Sequence, residues 1–235
     1  MIRRIRCSVL ALLIALPAAC LPLSSCASRN LLLYSTTDGT RTVEVRGSAE
    51  RARKLVVKEG EKTVWSKRIP VGETVGDLGG TYGLRIADLN FDGLNDLIIP
   101  TDCAGEVQTD LAFLQTPDGD YEKSPALEGL CNLATDARQE LVFAFTRTSR
   151  SEKEDGVSHV VQTDTATAYS WEGKNLIPRR RVSLTYYEAS DSYCYSVADY
   201  DPDTGAFRDP DDRWLTSAEY AALEFEGLYY FRNNG

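Results

Sequence analysis

The sequence predicts a mostly β protein, an antiparallel sandwich or small propeller-like domain with one short C-terminal helix. Three observations predict it. Short runs rich in β-branched and aromatic residues recur along the chain, each bounded by Gly, Pro, Asn or Asp. Only one segment has a helix-starting signature. No linker or low-complexity tract interrupts the pattern, so the 235 residues hold one domain once a leader is set aside.

The leader comes first. Residues 1–6 are basic and residues 7–23 almost wholly apolar. That run is shorter than the roughly 20 residues a membrane-spanning helix needs, and its flanks are those of a secretory signal. Leu23-Ser24-Ser25-Cys26 resembles a bacterial lipobox. Residues 1–25 are therefore expected to be removed and Cys26 to carry acyl chains such as palmitate. Residues 26–30 form a short tether, and 31–235 the domain. Ala27 gives no acidic retention signal, so the expected location is the outer membrane, facing the periplasm. Losing residues 1–25 removes three arginines and no acid, which takes the formal charge from −9 to −12. So acidic a chain has no electrostatic footprint for nucleic acid or anionic lipid.

Strands are expected at 31–35, 42–46, 54–58, 63–69, 84–87, 97–100, 111–115, 140–146, 157–163, 168–171, 182–187 and 193–198. Glu59-Gly60, Pro117-Asp118-Gly119-Asp120 and Asp201-Pro202-Asp203-Thr204-Gly205 are turns between them, the last leading to Ala206-Phe207. The charged stretch 147–155 reads as a long hairpin tip. Thr216 with Glu219 has capping-box spacing, which starts the helix. Gly227 ends it before a last strand at 228–231.

The most specific motif is Asp88-Leu89-Asn90-Phe91-Asp92-Gly93-Leu94-Asn95-Asp96. A hard cation such as Ca²⁺ takes six to eight oxygens, and a short loop supplies most of them by presenting oxygen side chains at alternate positions. Asp88, Asn90 and Asp92 fall on one side of such a turn. Gly93 lets the backbone reverse, so that the Leu94 carbonyl and the Asp96 carboxylate close the cage. Bringing three carboxylates together without a cation costs like-charge repulsion, so binding should be coupled to local folding and the ion structural. A helix-flanked EF-hand is excluded, because its twelfth position is Ile99 inside a strand rather than a bidentate Glu.

The strand–loop–strand setting resembles the calcium loops of FG-GAP and VCBS repeats. With its flanks, Leu111-Ala112-Phe113, Asp118-Gly119-Asp120-Tyr121 and Leu130-Cys131-Asn132, the loop also resembles a family of periplasmic calcium-binding lipoproteins. The segment from Tyr200 to Phe207 resembles a turn of that family. The resemblance is specific over residues 80–147. It implies an immunity protein, an inhibitor of a secreted peptidoglycan hydrolase with a lysozyme-inhibitor-like fold.

Three cysteines remain in the mature domain, an odd number for an oxidising compartment. Cys103 with Cys131 is the preferred disulfide, closing a loop of about 29 residues and contributing roughly 3–4 kcal/mol in the chain-entropy model. Cys194 then reads as a buried thiol, and pairings that involve it stay open. Catalysis is not expected. The single histidine, His159, sits in a strand pattern, and no G-x-S-x-G, H-E-x-x-H or P-loop spacing occurs. Asp199, Asp201 and Asp203 read as a solvated turn rather than a second ion site. Arg179-Arg180-Arg181 reads as a solvated basic run. Candidate protein contacts are Arg147 and Arg150 in the 147–155 stretch, with Tyr186, Tyr187 and Tyr193 around residues 188–192. The alternative is a structural or adhesive envelope lipoprotein that binds glycan or another envelope protein.

Overall fold

A computed structural model describes residues 30–48, 51–69, 76, 78–79, 83–101 and 109–222. The expected signal, Cys26, Cys103 and the strand at 228–231 lie outside the described residues.

Among these residues the chain forms three open antiparallel sheets in sequence order. The first is β1 (Leu31–Asp38), β2 (Arg41–Ser48), β3 (Arg51–Glu59) and β4 (Lys62–Arg68). The second is β5 (Arg85–Ala87), β6 (Asp96–Pro100), β7 (Asp110–Gln115) and β8 (Tyr121–Lys123). The third holds β9 (Ala134–Asp136), β10 (Leu141–Glu154), β11 (Val157–Glu172), β12 (Asn175–Tyr187) and β13 (Ser192–Asp201). Two short strands, β14 (Ala206–Phe207) and β15 (Asp211–Thr216), both pair with β13. One helix, α1 (Ser217–Ala222), follows. Its capping box is made: the Thr216 amide donates to Glu219 Oε2 at 2.7 Å, and the Glu219 amide donates to Thr216 Oγ1 at 3.2 Å. The mostly β antiparallel class with one short C-terminal helix is as expected, and no sheet closes into a barrel.

The second sheet is the middle layer, and β6 shows why. All five of its residues are buried. Leu97 and Ile99 pack with Val43, Val45, Leu55 and Val57 of the first sheet. Ile98, pointing the opposite way, packs with Leu127, Leu133, Val142 and Ala144 toward the third. A strand covered on both faces loses the apolar–polar alternation and reads as one apolar run. Each fully buried Leu or Ile contributes about 1.5–3 kcal/mol, so this short strand joins two cores. A buried ion pair adds a polar tie. Arg85 Nη2 donates to Asp110 Oδ2 at 3.0 Å and to the Leu133 carbonyl at 3.0 Å, and the Leu133 amide donates to Asp110 Oδ2 at 2.7 Å.

Several details differ from the sequence expectation. The short strands β8 and β9 were not expected, and β12 starts at Asn175 and not at 182. Three further differences have a clear physical reason. The stretch expected as a long hairpin tip is β-strand through Glu154, and the tip is only Asp155-Gly156, at φ of 50° and 80°. Asp-Gly is the preferred pair for a two-residue turn with positive φ at both positions. The strand hid because its end is exposed on both faces and has no amphipathic pattern. The strands expected at 157–163 and 168–171 are one continuous strand, β11. Strand β15 was not expected: five of its six residues are exposed, and edge strands are polar for reasons of solubility.

Candidate functional site

The 88–96 loop connects β5 to β6, and its side chains turn inward onto its own backbone. Asp88 accepts hydrogen bonds from the amides of Asp92 (3.1 Å, Oδ1) and Gly93 (2.9 Å, Oδ2). Asp92 Oδ1 accepts from the Leu94 amide at 2.8 Å, and Asn90 Nδ2 donates to Asp92 Oδ2 at 2.8 Å. Phe91 and Gly93 take positive φ of 60° and 83°, the reversal the glycine was expected to permit. Asp96 stands apart. It is wholly buried, with Oδ2 accepting from the Leu89 amide at 2.7 Å and Oδ1 from the Gln115 amide at 2.7 Å.

The loop also touches every sheet. Asn95 Nδ2 donates to Asp38 Oδ2 of β1 at 2.6 Å, and Gln115 Oε1 of β7 accepts from the Asn95 amide at 3.2 Å. Trp171 Nε1 of β11 donates to the Leu89 carbonyl at 2.7 Å, while the Leu89 side chain is fully buried against the third sheet. A nine-residue motif thus holds β1, β7 and β11 to one another. Asp38, Gln115 and Trp171 were missed in the sequence because each is distant in the chain, and nothing local marks it.

The electrostatics concentrate on Asp96. Burial pushes its pKa up to about 6, the two backbone amides oppose the shift, and the nearby charges of Asp92 and Asp88 add to it. Three carboxylates and an amide oxygen are the donor types a hard divalent cation takes. The push of Asp92 and Asp88 on Asp96 is a repulsion that a cation would relieve. Among the described residues, however, no three His, Cys, Asp or Glu side chains are gathered in a metal-holding group. The loop's carboxylates are instead engaged by its own amides and by the Gln115 amide of β7.

The expected partner residues do not form one patch. Neighbouring residues of a strand point to opposite faces, and the register separates the candidates. Arg147, Tyr186 and Tyr193 lie on the face that includes Phe143, Phe145, Val182 and Leu184. Arg147 is held there by two bonds to Asp164, at 2.6 and 3.0 Å. Tyr193 stacks on Tyr220 at 4.2 Å and lies 4.9 Å from Tyr186. Arg150 and Tyr187 lie on the opposite face, where Arg150 pairs with Glu152 at 2.8 Å and Tyr187 meets the exposed Trp214 at 5.1 Å. Cys131 is buried and bridges Thr109, its expected partner Cys103 being outside the described residues. Cys194 is a buried thiol with Sγ 3.7 Å from Ser196 Oγ.

That opposite face has a feature the sequence reading did not single out. Along β10 its positions run Val142, Ala144, Thr146, Thr148 and Arg150. The first two are covered by the middle sheet, and beyond them the residues become hydroxylic. The neighbouring strands continue the floor with Thr163, Thr165 and Thr167 on β11, Ser183 and Thr185 on β12 and Ser196 on β13. Thr163 and Thr185 hydroxyls are 3.0 Å apart, and those of Thr165 and Ser183 3.1 Å. A groove of about 460 Å³ lies over the Thr163, Ser183, Thr185 and Ser196 part of this floor, bounded by residues 207–210.

No protein-family model matches this chain, and no curated protein matches it. Among solved structures, one described as a Xanthomonas type IV secretion system related protein is similar at 13% identity and a TM-score of 0.37, covering 77% of this chain and 87% of that one. A likeness that slight carries no argument. No helix among the described residues is long and apolar enough to cross a membrane.

Proposed function

We propose that this chain is a bacterial envelope lipoprotein, anchored through Cys26, in which a calcium-bound 88–96 loop fixes three sheets in register for recognition of a protein partner. The observation that supports this reading is the loop's place as a common anchor for β1, β7 and β11. A cation held by Asp88, Asn90, Asp92, the Leu94 carbonyl and Asp96 would supply charge neutralisation and rigidity there, not chemistry on a substrate. Rigid presentation lowers the ordering cost of binding. A partner of the cell-wall hydrolase class, with the chain as its immunity protein or inhibitor, is the specific form of the proposal. It rests on the motif resemblance. The chain is not proposed as an enzyme.

The test is a Ca²⁺ or Tb³⁺ titration, followed by thermal melts with and without chelator. Saturable binding and a higher melting temperature in calcium are expected, both lost in Asp92→Ala; an unchanged melt would overturn the clamp. Cys26→Ala should move the protein from the membrane to the soluble fraction. Pull-down from the producer's secretome should recover a hydrolase. A second reading, a structural or adhesive lipoprotein that takes glycan, is favoured by the hydroxyl-lined floor of the third sheet.

A further inference from the structure

The run Arg179-Arg180-Arg181 divides on the strand. Arg179 pairs with Glu172 at 2.6 Å and Arg180 with Asp199 at 2.7 Å. Arg181 faces the hydroxyl-lined groove, between Thr167 on β11 and Ala198 on β13, and its guanidinium carbon lies 4.0 Å from the centre of the Phe207 ring. Among the described residues no carboxylate pairs with it. The groove's other charged residues are Arg208, which reaches Asp201 at 3.5 Å, and Asp209. In a chain of net charge −9, a guanidinium with no paired carboxylate and held over a ring is a group suited to reading an anion.

The floor beneath it indicates what accompanies the anion. Each hydroxyl can donate once and accept twice, so the Thr163–Thr185 and Thr165–Ser183 pairs each keep one donor and several lone pairs for an outside partner. The floor extends over three strands, roughly 10 Å at the usual strand spacing. A lone carboxylate or phosphate is too small to use it. A chain of hydroxylated rings is not, and the groove volume of about 460 Å³ lies within the usual range for small-ligand sites, roughly 300–1,000 Å³. Phe207 borders the groove beneath Arg181, and Trp214, 59% exposed, lies on the same face of the sheet across from Cys194, where its indole is available to the apolar side of a sugar.

We propose that the groove over β11, β12 and β13 binds a carboxylated oligosaccharide, with Arg181 pairing the carboxylate and the Thr163, Thr185, Ser183 and Ser196 hydroxyls pairing the sugar hydroxyls. The proposal deepens the glycan reading and is independent of the metal loop. Fork geometry lets a guanidinium hold a carboxylate bidentately, so the acid sets orientation while the hydroxyl floor sets length.

The test is calorimetric titration of the full chain with an oligogalacturonate, a neutral oligosaccharide of equal length, and free galacturonate. The acidic oligomer should bind at least tenfold more tightly than either control and weaken as salt is raised. Arg181→Gln should lose about tenfold in affinity for the acidic oligomer while leaving the melting temperature unchanged. Thr163→Val with Ser183→Ala should weaken oligomer binding without changing the salt dependence. Equal affinity for the acidic and neutral oligomers, or an unaffected Arg181→Gln, would overturn the assignment of Arg181 and leave the glycan reading standing. Binding of free galacturonate as tight as that of the oligomer would overturn the role of the floor. If no saccharide binds, the glycan reading falls as well.

Discussion

In the 88–96 loop the aspartate oxygens are turned onto amides of the loop and of β7, and on the open floor of the third sheet the Thr163–Thr185 and Thr165–Ser183 hydroxyls pair with each other. The two regions belong to the same packed molecule, and both are polar. The loop's polarity is consumed in fixing strands, so mutations there should act on stability. The floor's polarity is half unused and faces a groove, so mutations there should act on binding and scarcely on folding. The difference is one of where hydrogen-bonding capacity ends up, not of residue type.

The sharpest contrast in stability should come from the strand the loop leads into. Leu97 is fully buried in the core between the first two sheets. Leu97→Ala should cost about 2–5 kcal/mol through lost transfer energy and the cavity it leaves. Urea unfolding measures it, and a cost near zero would mean that β6 does not join the two cores. Next in size is the ion. Calcium at a hundredfold over its dissociation constant should stabilise the protein by about 2.7 kcal/mol if it binds only the folded chain. Asp92→Ala should remove that gain without lowering the stability of the chelated protein by as much.

The pH dependence follows from Asp96. Its folded pKa, about 6, lies above the ordinary 3.8, so the folded state holds this proton more tightly than the unfolded chain does. The proton-linked stability is complete below pH 3.8 and is lost as pH rises through about 6. In chelator, the Asp96 contribution should therefore decline across this window by on the order of 3 kcal/mol. Calcium favours the ionised carboxylate and should flatten the decline. Asp96→Asn should flatten it in chelator too, and an unchanged slope in that variant would assign the dependence to other groups.

What the sequence made legible follows the same division. The loop was readable because ligand-type residues at alternate positions around Gly93 are a local pattern, and Gly93 takes the positive φ that the reversal needs. The positive φ of Phe91 and the bonds of the Asp88 oxygens to the loop's amides were not foreseen. The β class, the capping box at Thr216 and most strand centres were readable for the same reason. Contacts made by register were not. Arg147 and Arg150 are three apart in sequence and fall on opposite faces of β10; Tyr186 and Tyr187 are adjacent and also point apart. The full hydroxyl floor exists only when β10 to β13 lie side by side, although the alternating Thr163, Thr165 and Thr167 of β11 show part of it in one strand. Trp171 is likewise marked by nothing local as the loop's tie to β11.

Trp171→Phe isolates that tie, because it keeps the ring and removes the donor to the Leu89 carbonyl. Losing one such bond should cost about 1 kcal/mol, with a further penalty if the carbonyl stays buried and unpaired. Amide exchange at Leu89 and Leu94 reports whether the loop loosens, and calcium affinity should fall with it. No change in exchange or affinity would separate the loop from the third sheet.

The smallest effect on stability should come from the floor itself. Thr165→Val keeps the shape of a half-buried, strand-favouring side chain and removes only the hydroxyl shared with Ser183 at 3.1 Å. Ser183 then turns its hydroxyl to water in the groove, so no polar group is left buried and unpaired. The cost should stay within about 0.5 kcal/mol, the ordinary range for surface changes. A cost of several kcal/mol would mean that the floor is a structural network like the loop. A near-silent substitution would leave the floor's hydroxyls as groups whose partner comes from outside the chain.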